Sequence, residues 1–524
     1  MSEQHHALLW QYVEKWATLR PDAEAIVFGD DRITWRAFHH RVESTAKLLL
    51  ELGVNKGDRV AMLGMARPEF LITFMAASKV GAMWMGLSPK SALREMDYLV
   101  GHAQPVVLFA VTRYADRDLE PDIKALQEAH PALKHIVPLG ESFETAIAKD
   151  RSHLDSALAE RAKAVAPDDD VLLLYTSGST GKPKGVVLTH DNIIANIAVE
   201  TRCFRITHEA RGLMHFPINH VAACVEIGFA LIMAGGTTVM LERFDPLESL
   251  STVERERITL FGQVPTMFLM QMGLSRFRTL DWSSVQTIVW SGSSAPHLII
   301  NGLAAIAEKT GAMLCTGYGS TEASGFVTYT KFGEPIETMF STAGQVQPEF
   351  EARIVDANRK PLPAGEIGEF AIRGPIVFNR YLNNPEATSA VKDADGWFYT
   401  GDMGRIDENA YLTLTGRKSE MYKTGGENIY PREIEEVIED MPAVLMAAVI
   451  GVPHRVYQEV GRAFVMPKPG MTVTVEEITQ VCQTHLANFK IPREIEIHPI
   501  LPMLANGKID KVTLKEKYLA EHKQ

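Results

Sequence analysis

Cysteine is scarce in this chain. Four residues in 524, Cys203, Cys224, Cys315 and Cys482, lie far apart with no C-x-x-C pair. That spacing indicates neither a disulfide framework nor a thiolate zinc site, and a reduced, cytoplasmic setting fits it best. Long apolar runs are missing too. The longest, around Gly228 to Gly236, falls short of the roughly 18 to 20 residues that cross a bilayer, so no transmembrane segment is expected. Neither end carries a cleavable signal or targeting pattern. Basic charge is in deficit, with a formal net charge of -12. This argues against a nucleic-acid partner, because a phosphate backbone is bound by a concentrated basic surface. No internal repeat or low-complexity tract interrupts the chain. Small molecules are the expected partners, and homo-oligomerisation is left open.

What is present suffices for more than one core, since 46% of the residues are hydrophobic and the length exceeds that of an ordinary domain. The opening segment places Leu8, Leu9, Tyr12, Val13, Trp16 and Leu19 on one helical face that stops at Pro21, and a second helix runs from Trp35 to Leu52 before Gly53. Short apolar runs (RVAMLGM, VVLFAV, HIVPL) then alternate with helical stretches such as PEFLITFMAASKVG. This is the texture of buried parallel strands with crossover helices, so the large first part reads as α/β. From about Phe350 short alternating segments with turn signals predict an antiparallel β region. Beyond Gly416 a basic, glycine-containing stretch leads through an amphipathic helix into about a hundred residues of mixed helix and strand, the size of a small separate domain. The boundary is expected between Arg417 and Glu420.

The stretch YTSGSTGKPKGVVLTH, from Tyr175 to His190, carries the first chemistry. An apolar strand, Val171 to Tyr175, enters a loop rich in glycine, and GVVLTH leaves it as a second strand. Glycines such as Gly178 let backbone N–H groups approach an anion, while Thr176, Ser177, Ser179 and Thr180 add hydroxyl donors and Lys182 or Lys184 adds charge. The expected ligand is a polyphosphate. Neither the P-loop nor the dinucleotide glycine pattern can be registered on these residues. A helix is capped only near Thr189 or Asp191, so the loop must work by its own donors rather than through a helix N-terminus.

This loop resembles the phosphate-loop signature of the adenylate-forming superfamily, which includes acyl-CoA synthetases, adenylation domains of peptide synthetases and firefly-type luciferases. Four later motifs resemble the family's in order: YGSTEAS (Tyr318 to Ser324), YTGDMG (Tyr399 to Gly404), GRKSEMYKTGGENIYPREIE (Gly416 to Glu435) and NGKIDK (Asn506 to Lys511). The resemblance is most like an acyl-CoA synthetase. It implies a large N-terminal domain, residues 1–416, of α/β subdomains plus a β-rich subdomain. A hinge, residues 417–420, and a small mobile α+β cap, residues 421–524, would follow. The implied substrates are ATP, coenzyme A and a carboxylic acid, with Mg²⁺: the acid forms acyl-AMP and pyrophosphate, and a thiol then captures the acyl group.

The resemblance also implies roles for individual residues. Thr176, Ser177, Gly178, Ser179, Thr180 and Lys184 would hold the phosphates, with Thr321 on the α-phosphate and Glu322 on the metal. Tyr318 would supply a flat ring for adenine with Gly319 beside it in the ATP site, and Gly292 and Ser293 of WSGSSAP would lie in the adenine-side loop that also walls the acyl pocket. Asp402 and Arg417 would take the ribose, and Lys423 and Asn428 match positions near AMP. Lys508, after the Asn506-Gly507 turn, matches the family's catalytic lysine, delivered by the cap. Gly425 and Gly426 would meet the pantetheine of coenzyme A. Ser419 falls where the family has a hinge Asp or Lys, with the acidic Glu420 one step on. His220, matching a gating residue, would line the acyl pocket and act in catalysis, with Val221, Cys224, Gly292 and Gly317 beside it.

The apolar residues after His220 favour a fatty, alicyclic or aryl acid over an amino acid, although Glu226, one helical turn beyond Ala222, would be an acidic exception in that wall. An acyl-AMP ligase delivering to a carrier protein, a luciferase-like oxygenase and a non-catalytic nucleotide-binding relative are the alternatives.

Overall fold

The computed structural model describes residues 6–176, 182–503 and 509–521. These form a mixed α/β structure whose large N-terminal part holds two seven-stranded sheets, with helices between and outside them. One sheet runs Met313–Thr316, Thr287–Trp290, Leu260–Gln263, Arg211–Met214, Thr237–Met240, Glu24–Phe28 and Asp31–Thr34. It is parallel except for its last pair. The other runs Arg380–Tyr381, Lys184–Thr189, Asp170–Thr176, Met83–Leu87, Arg59–Leu63, Val107–Ala110 and His135–Pro138.

Alternation along each strand builds the layers. Ile26 faces a central core shared with Val60, Met62 and Trp84 of the other sheet, whereas Val27 faces an outer core with Phe261 and Trp290, and Ala61 and Leu63 face a third core. The helix Pro68–Val80 lies in the central core with every residue buried. A helix enclosed on all sides cannot show an amphipathic pattern, which accounts for its nearly unbroken apolar sequence. Its charged ends are paired: Glu69 with Arg67 at 3.2 Å and Lys79 with Glu43.

One local expectation needs correction. Leu19 was placed on the buried face of the first helix, but the helix Leu9–Leu19 is anchored by Leu9, Tyr12 and Val13, and Leu19 is 62% exposed. At a helix C-terminus the chain departs from the face that the first two turns define. The two strands that flank the loop, Asp170–Thr176 and Lys184–Thr189, pair antiparallel, with Lys184 opposite Thr176. The helix His190–Cys203 then begins at Thr189, whose hydroxyl accepts from the Asn192 N–H.

The β-rich part is a four-stranded antiparallel sheet, Glu351–Val355, Gly368–Arg373, Phe398–Ile406 and Leu412–Arg417. The small C-terminal part begins its own sheet at Tyr422–Thr424, builds it on the long pair Val444–His454 and Gln458–Pro467, and covers it with the helices Pro431–Glu439, Val475–His485 and Lys511–Glu521.

Candidate active site

Parallel strands deliver their loops to one edge, and ligands of open α/β sheets bind beyond the carboxyl ends of the strands. The neighbours Thr287–Trp290 and Met313–Thr316 bring the segments after Trp290 and Thr316 together, and the Ser291 hydroxyl donates to the Gly317 carbonyl at 3.2 Å. The chain crosses itself closely here. A Cβ on Gly317 would lie 2.0 Å from the Thr328 carbonyl oxygen, and one on Gly319 would lie 2.6 Å from that of Gly325. Only glycine fits either place. Gly292 and Ser293 are exposed at the same edge.

The β-rich sheet supplies the next groups. Tyr318 donates its hydroxyl to Asp402 Oδ2 at 2.6 Å, and Arg417 Nε sits 3.0 Å from Asp402 Oδ1. Cross-strand register places Asp402 directly opposite Arg417. Asp402 is buried, yet the Arg417 side chain is 55% exposed, so the pair runs from a buried floor at Asp402 out to the surface at Arg417. Each carboxylate oxygen keeps a second lone pair for a ligand hydroxyl. Burial drives the Tyr318 phenol well above its ordinary range and the neighbouring Asp402 adds to it, so the ring is a neutral donor. Behind them Glu369, which sequence reasoning passed over, accepts from the Gly401 N–H at 3.1 Å and from Lys418 Nζ at 2.8 Å.

Glu322 lies in a short turn capped by Ser320, whose hydroxyl accepts from the Ala323 N–H. Its Oε1 accepts from the Tyr381 hydroxyl at 2.9 Å, and its backbone carbonyl accepts from the Phe378 N–H. Burial raises the Glu322 carboxyl above its usual range, while the Tyr381 hydrogen bond and the Arg417 charge pull it back. Tyr381 pairs beside Val186, and Lys184 Nζ stands 5.2 Å from the centre of its ring. Lys184, Thr176, Thr321 and Glu322 are all partly exposed; strand pairing sets Lys184 opposite Thr176 and brings their sheet to Tyr381, which holds Glu322. Tyr381 was also overlooked in sequence. Only its pairing with the Lys184 strand, some 190 residues earlier, gives it a role. Ser177, Gly178, Ser179, Thr180 and Lys508 lie outside the described residues.

His220 is exposed, not a core residue, and its Nδ1 accepts from the Ala222 N–H at 3.2 Å, which leaves Nε2 to carry the proton of the neutral ring. It stands at the mouth of a π-helix, Ala222–Phe229, an uncommon geometry that concentrates at functional sites. Val221 is buried beside it. Cys224 is packed behind that face, its thiol donating to the Ile218 carbonyl at 3.0 Å.

Glu226 projects from this π-helix toward Glu200, which is 1% exposed on the helix His190–Cys203. Burial pushes the Glu226 carboxyl up to about 7, and burial and the neighbouring carboxyl push Glu200 well above its usual range. Both carboxyls in turn raise the Tyr329 phenol, and Glu200 raises the Cys203 thiol. Between the ordinary value of about 4.5 and the raised folded value, about 7 for Glu226, the folded protein holds more protons than the unfolded chain, so stability contributed by this pair is lost as pH rises through that window. Glu226→Gln should accordingly raise the thermal midpoint at pH 8 and change it little at pH 5, as differential scanning calorimetry would show.

In the C-terminal part, Lys423 and Asn428 face each other across a hairpin whose turn is Gly425 and Gly426, with φ of 58° and 96°. Two consecutive positive φ values favour glycine at both positions. These four residues are brought together with each other but make no hydrogen bond to the Asp402 floor among the described residues. Ser419 is exposed, whereas Glu420 is held by Lys511 Nζ at 2.6 Å, the same ammonium reaching Glu435 at 2.8 Å.

Residues 13–382 match the family model for AMP-binding enzymes, and residues 433–508 match that for the AMP-binding enzyme C-terminal domain. Among curated relatives, a feruloyl-CoA synthase of Amycolatopsis sp is 35% identical, over 96% of this chain and 97% of its own length. A medium-chain fatty-acid–CoA ligase of Escherichia coli K12 is 30% identical over 97% and 90%. Among solved structures, ATP-bound MatB from Rhodopseudomonas palustris superposes with a TM-score of 0.83 at 28% identity, covering 98% of this chain and all of that one.

Proposed function

The chain belongs to the AMP-binding enzyme family and is an AMP-forming acid-CoA ligase; from that premise we propose a two-step reaction on a fatty, alicyclic or aryl carboxylic acid. The acid oxygen attacks the α-phosphate of ATP, giving acyl-AMP and pyrophosphate. The thiol of coenzyme A then attacks the acyl carbonyl and AMP departs.

The observation that carries this reading is the joined set of Tyr318, Asp402 and Arg417 beside Glu322 and Lys184. Asp402 orients the ribose hydroxyls, with Arg417 at the rim. Tyr318 presents its ring to adenine, with Gly292, Ser293 and Gly319 leaving room around it, and Lys423 and Asn428 belong near AMP. The phosphates fall to Thr176, Lys184, Thr321 and the loop residues Ser177 to Thr180. Lys508 supplies positive charge between carboxylate and α-phosphate, where two anions must meet.

Mg²⁺ fits the donor set at Glu322. A single carboxylate with one oxygen anchored by Tyr381 suits an ion that keeps waters and takes its remaining ligands from phosphate. No cluster of three or more His, Cys, Asp or Glu side chains among the described residues offers an all-protein cage. The ion would neutralise phosphate charge, and the chain's part is to hold the Glu322 carboxylate in place. Tyr381→Phe should raise the Mg²⁺ concentration giving half-maximal pyrophosphate release by roughly 10-fold, read by titration at saturating ATP.

We place the pivot at residues 417–420, between residues 1–416 and a cap of residues 421–524. Lys508 belongs to the adenylating arrangement, and Gly425 and Gly426 to the one that meets pantetheine. His220, Val221, Cys224, Gly292 and Gly317 bound or back the acid channel.

Pyrophosphate release from MgATP across short, medium, long-chain, aryl and amino acids, each with and without coenzyme A, tests the reading. Turnover that needs coenzyme A with one class of acid is expected. Bound acyl-AMP without turnover would instead favour a carrier-protein acceptor.

A further inference from the structure

One cluster stands apart from the nucleotide groups. The helix His190–Cys203 carries Asn196 and Glu200 one turn apart on the same face, both fully buried. The Asn196 amide nitrogen is committed, donating to the carbonyls of Ala323 at 3.0 Å and Phe326 at 2.8 Å. Its Oδ1 is buried with no hydrogen-bond partner, and so is Glu200 Oε2. Glu226 comes in from the π-helix, with no hydrogen bond or ion pair to any described residue. The only donors within the cluster are the carboxyls' own protons, and as these are lost with rising pH the three side chains offer one another acceptors alone. Among the described residues, no lysine, arginine or histidine acts on the titration of either carboxyl.

Buried polar groups are nearly always partnered, and two carboxyls without a cation are costly to enclose. An unbroken apolar core would be cheaper, so the cluster calls for a partner. Its position says where that partner comes from. Gly325 touches it directly: a Cβ there would fall 2.9 Å from Asn196 Oδ1 and 3.4 Å from Glu226 Cγ. Gly325 lies three residues after Glu322, in the segment that turns back from the nucleotide groups, and the π-helix bearing Glu226 starts two residues after His220. Glu226 also keeps partial solvent access, although Ala223 and Gly228 on either side are sealed. That partial exposure is the route by which a donor group would reach the carboxyl.

We propose that Glu226, backed by Glu200 and Asn196, receives a hydrogen-bond-donating group, a hydroxyl or an amine, carried on the substrate acid away from its carboxylate. This rests on the acid-CoA ligase reading and narrows it: the channel takes a polar-ended acid rather than a plain hydrocarbon one. The donor end satisfies the acceptors that the fold leaves without partners, and the carboxylate end faces the α-phosphate. The reaction is unchanged, since Glu226 binds and orients without exchanging bonds.

Matched acids decide it. Cyclohexanecarboxylate, its 4-hydroxy and its 4-amino derivatives, and the corresponding 3-phenylpropanoates, are compared by kcat/KM for pyrophosphate release with the full chain, Glu226→Gln and Glu226→Leu. The full chain should favour a donor-bearing acid over its parent by roughly 10- to 100-fold, and Glu226→Leu should reverse the order. Glu226→Gln separates the two donors: it keeps a hydroxyl preference and loses an amine preference, because only the carboxylate supplies charge. Circular dichroism of both variants secures the fold.

Turnover of the parent acids at equal or higher kcat/KM, with Glu226→Leu leaving the order unchanged, would overturn this inference and leave the ligase standing. Silence with every acid would overturn the ligase reading and this inference with it.

Discussion

Lys508→Ala is expected to lower acyl-AMP formation by at least roughly 100- to 1000-fold, the loss that follows removal of one preorganised group stabilising transition-state charge, while thioester formation from supplied acyl-AMP continues. The asymmetry is the informative part. In the proposed first half-reaction a carboxylate approaches a phosphate, and both carry negative charge that the Lys508 ammonium would offset. In the second, a thiol attacks a carbonyl already activated by its AMP leaving group, with no comparable meeting of anions. A lysine borne by a cap can serve the first step and be withdrawn from the second.

Lys511 cannot stand in for it, being engaged by Glu420 and Glu435. The chain just after Lys508 is held in place, since Ile509 pairs with Met503 and the Asp510 N–H donates to the Pro502 carbonyl at 2.8 Å. Pyrophosphate release and thiolysis of supplied acyl-AMP, measured on the same preparation, separate the two steps. Equal loss in both would contradict alternation of the cap between them.

Much of this architecture is legible in sequence because its elements are local. Thr189 and Asn192 announce a helix start three residues apart, and Pro68 with Gly81 brackets a buried helix whose ends need no tertiary information. The β-rich segment after Phe350 shows itself by alternation. Asp402 and Tyr318 could be named singly from their motifs. Their shared hydrogen bond could not, because it joins residues 84 apart through the packing of a β sheet against an α/β edge.

Tyr381 and Glu369 were missed for the same reason. Each acts through a partner distant in sequence, Glu322 in one case and Gly401 with Lys418 in the other. Glu226 was visible as an acidic exception in an apolar run, but its meaning depends on Glu200, which in sequence looks like one more polar residue of a surface helix. Antiparallel pairing of the strands flanking the phosphate loop was likewise hidden, since a buried apolar strand reads the same in either direction.

Asp402→Ala should raise the KM for ATP by roughly 100-fold with a smaller change in kcat, because hydrogen bonds to a carboxylate are each worth about 1.5 to 3 kcal/mol and the ribose does not change in the reaction. Contacts equally strong in ground and transition states act on binding rather than on the chemical step. The alanine variant also strands two groups that Asp402 now satisfies, the Tyr318 hydroxyl at 2.6 Å and the Arg417 guanidinium at 3.0 Å. Part of any loss could therefore be disorder of the floor itself.

Asp402→Asn separates these causes. Its carbonyl oxygen still accepts from Tyr318 and its volume is unchanged, but the charge opposite Arg417 is gone and an amide N–H now points toward that cation or the ribose. If Asp402 acts through the ribose, the asparagine variant should retain its thermal midpoint yet still show a raised KM for ATP, with 2′-deoxy-ATP losing less on mutation than ATP does. If both variants lose stability in parallel with KM, and the two nucleotides suffer alike, then Asp402 is a strut between Tyr318 and Arg417 rather than a ligand for the sugar.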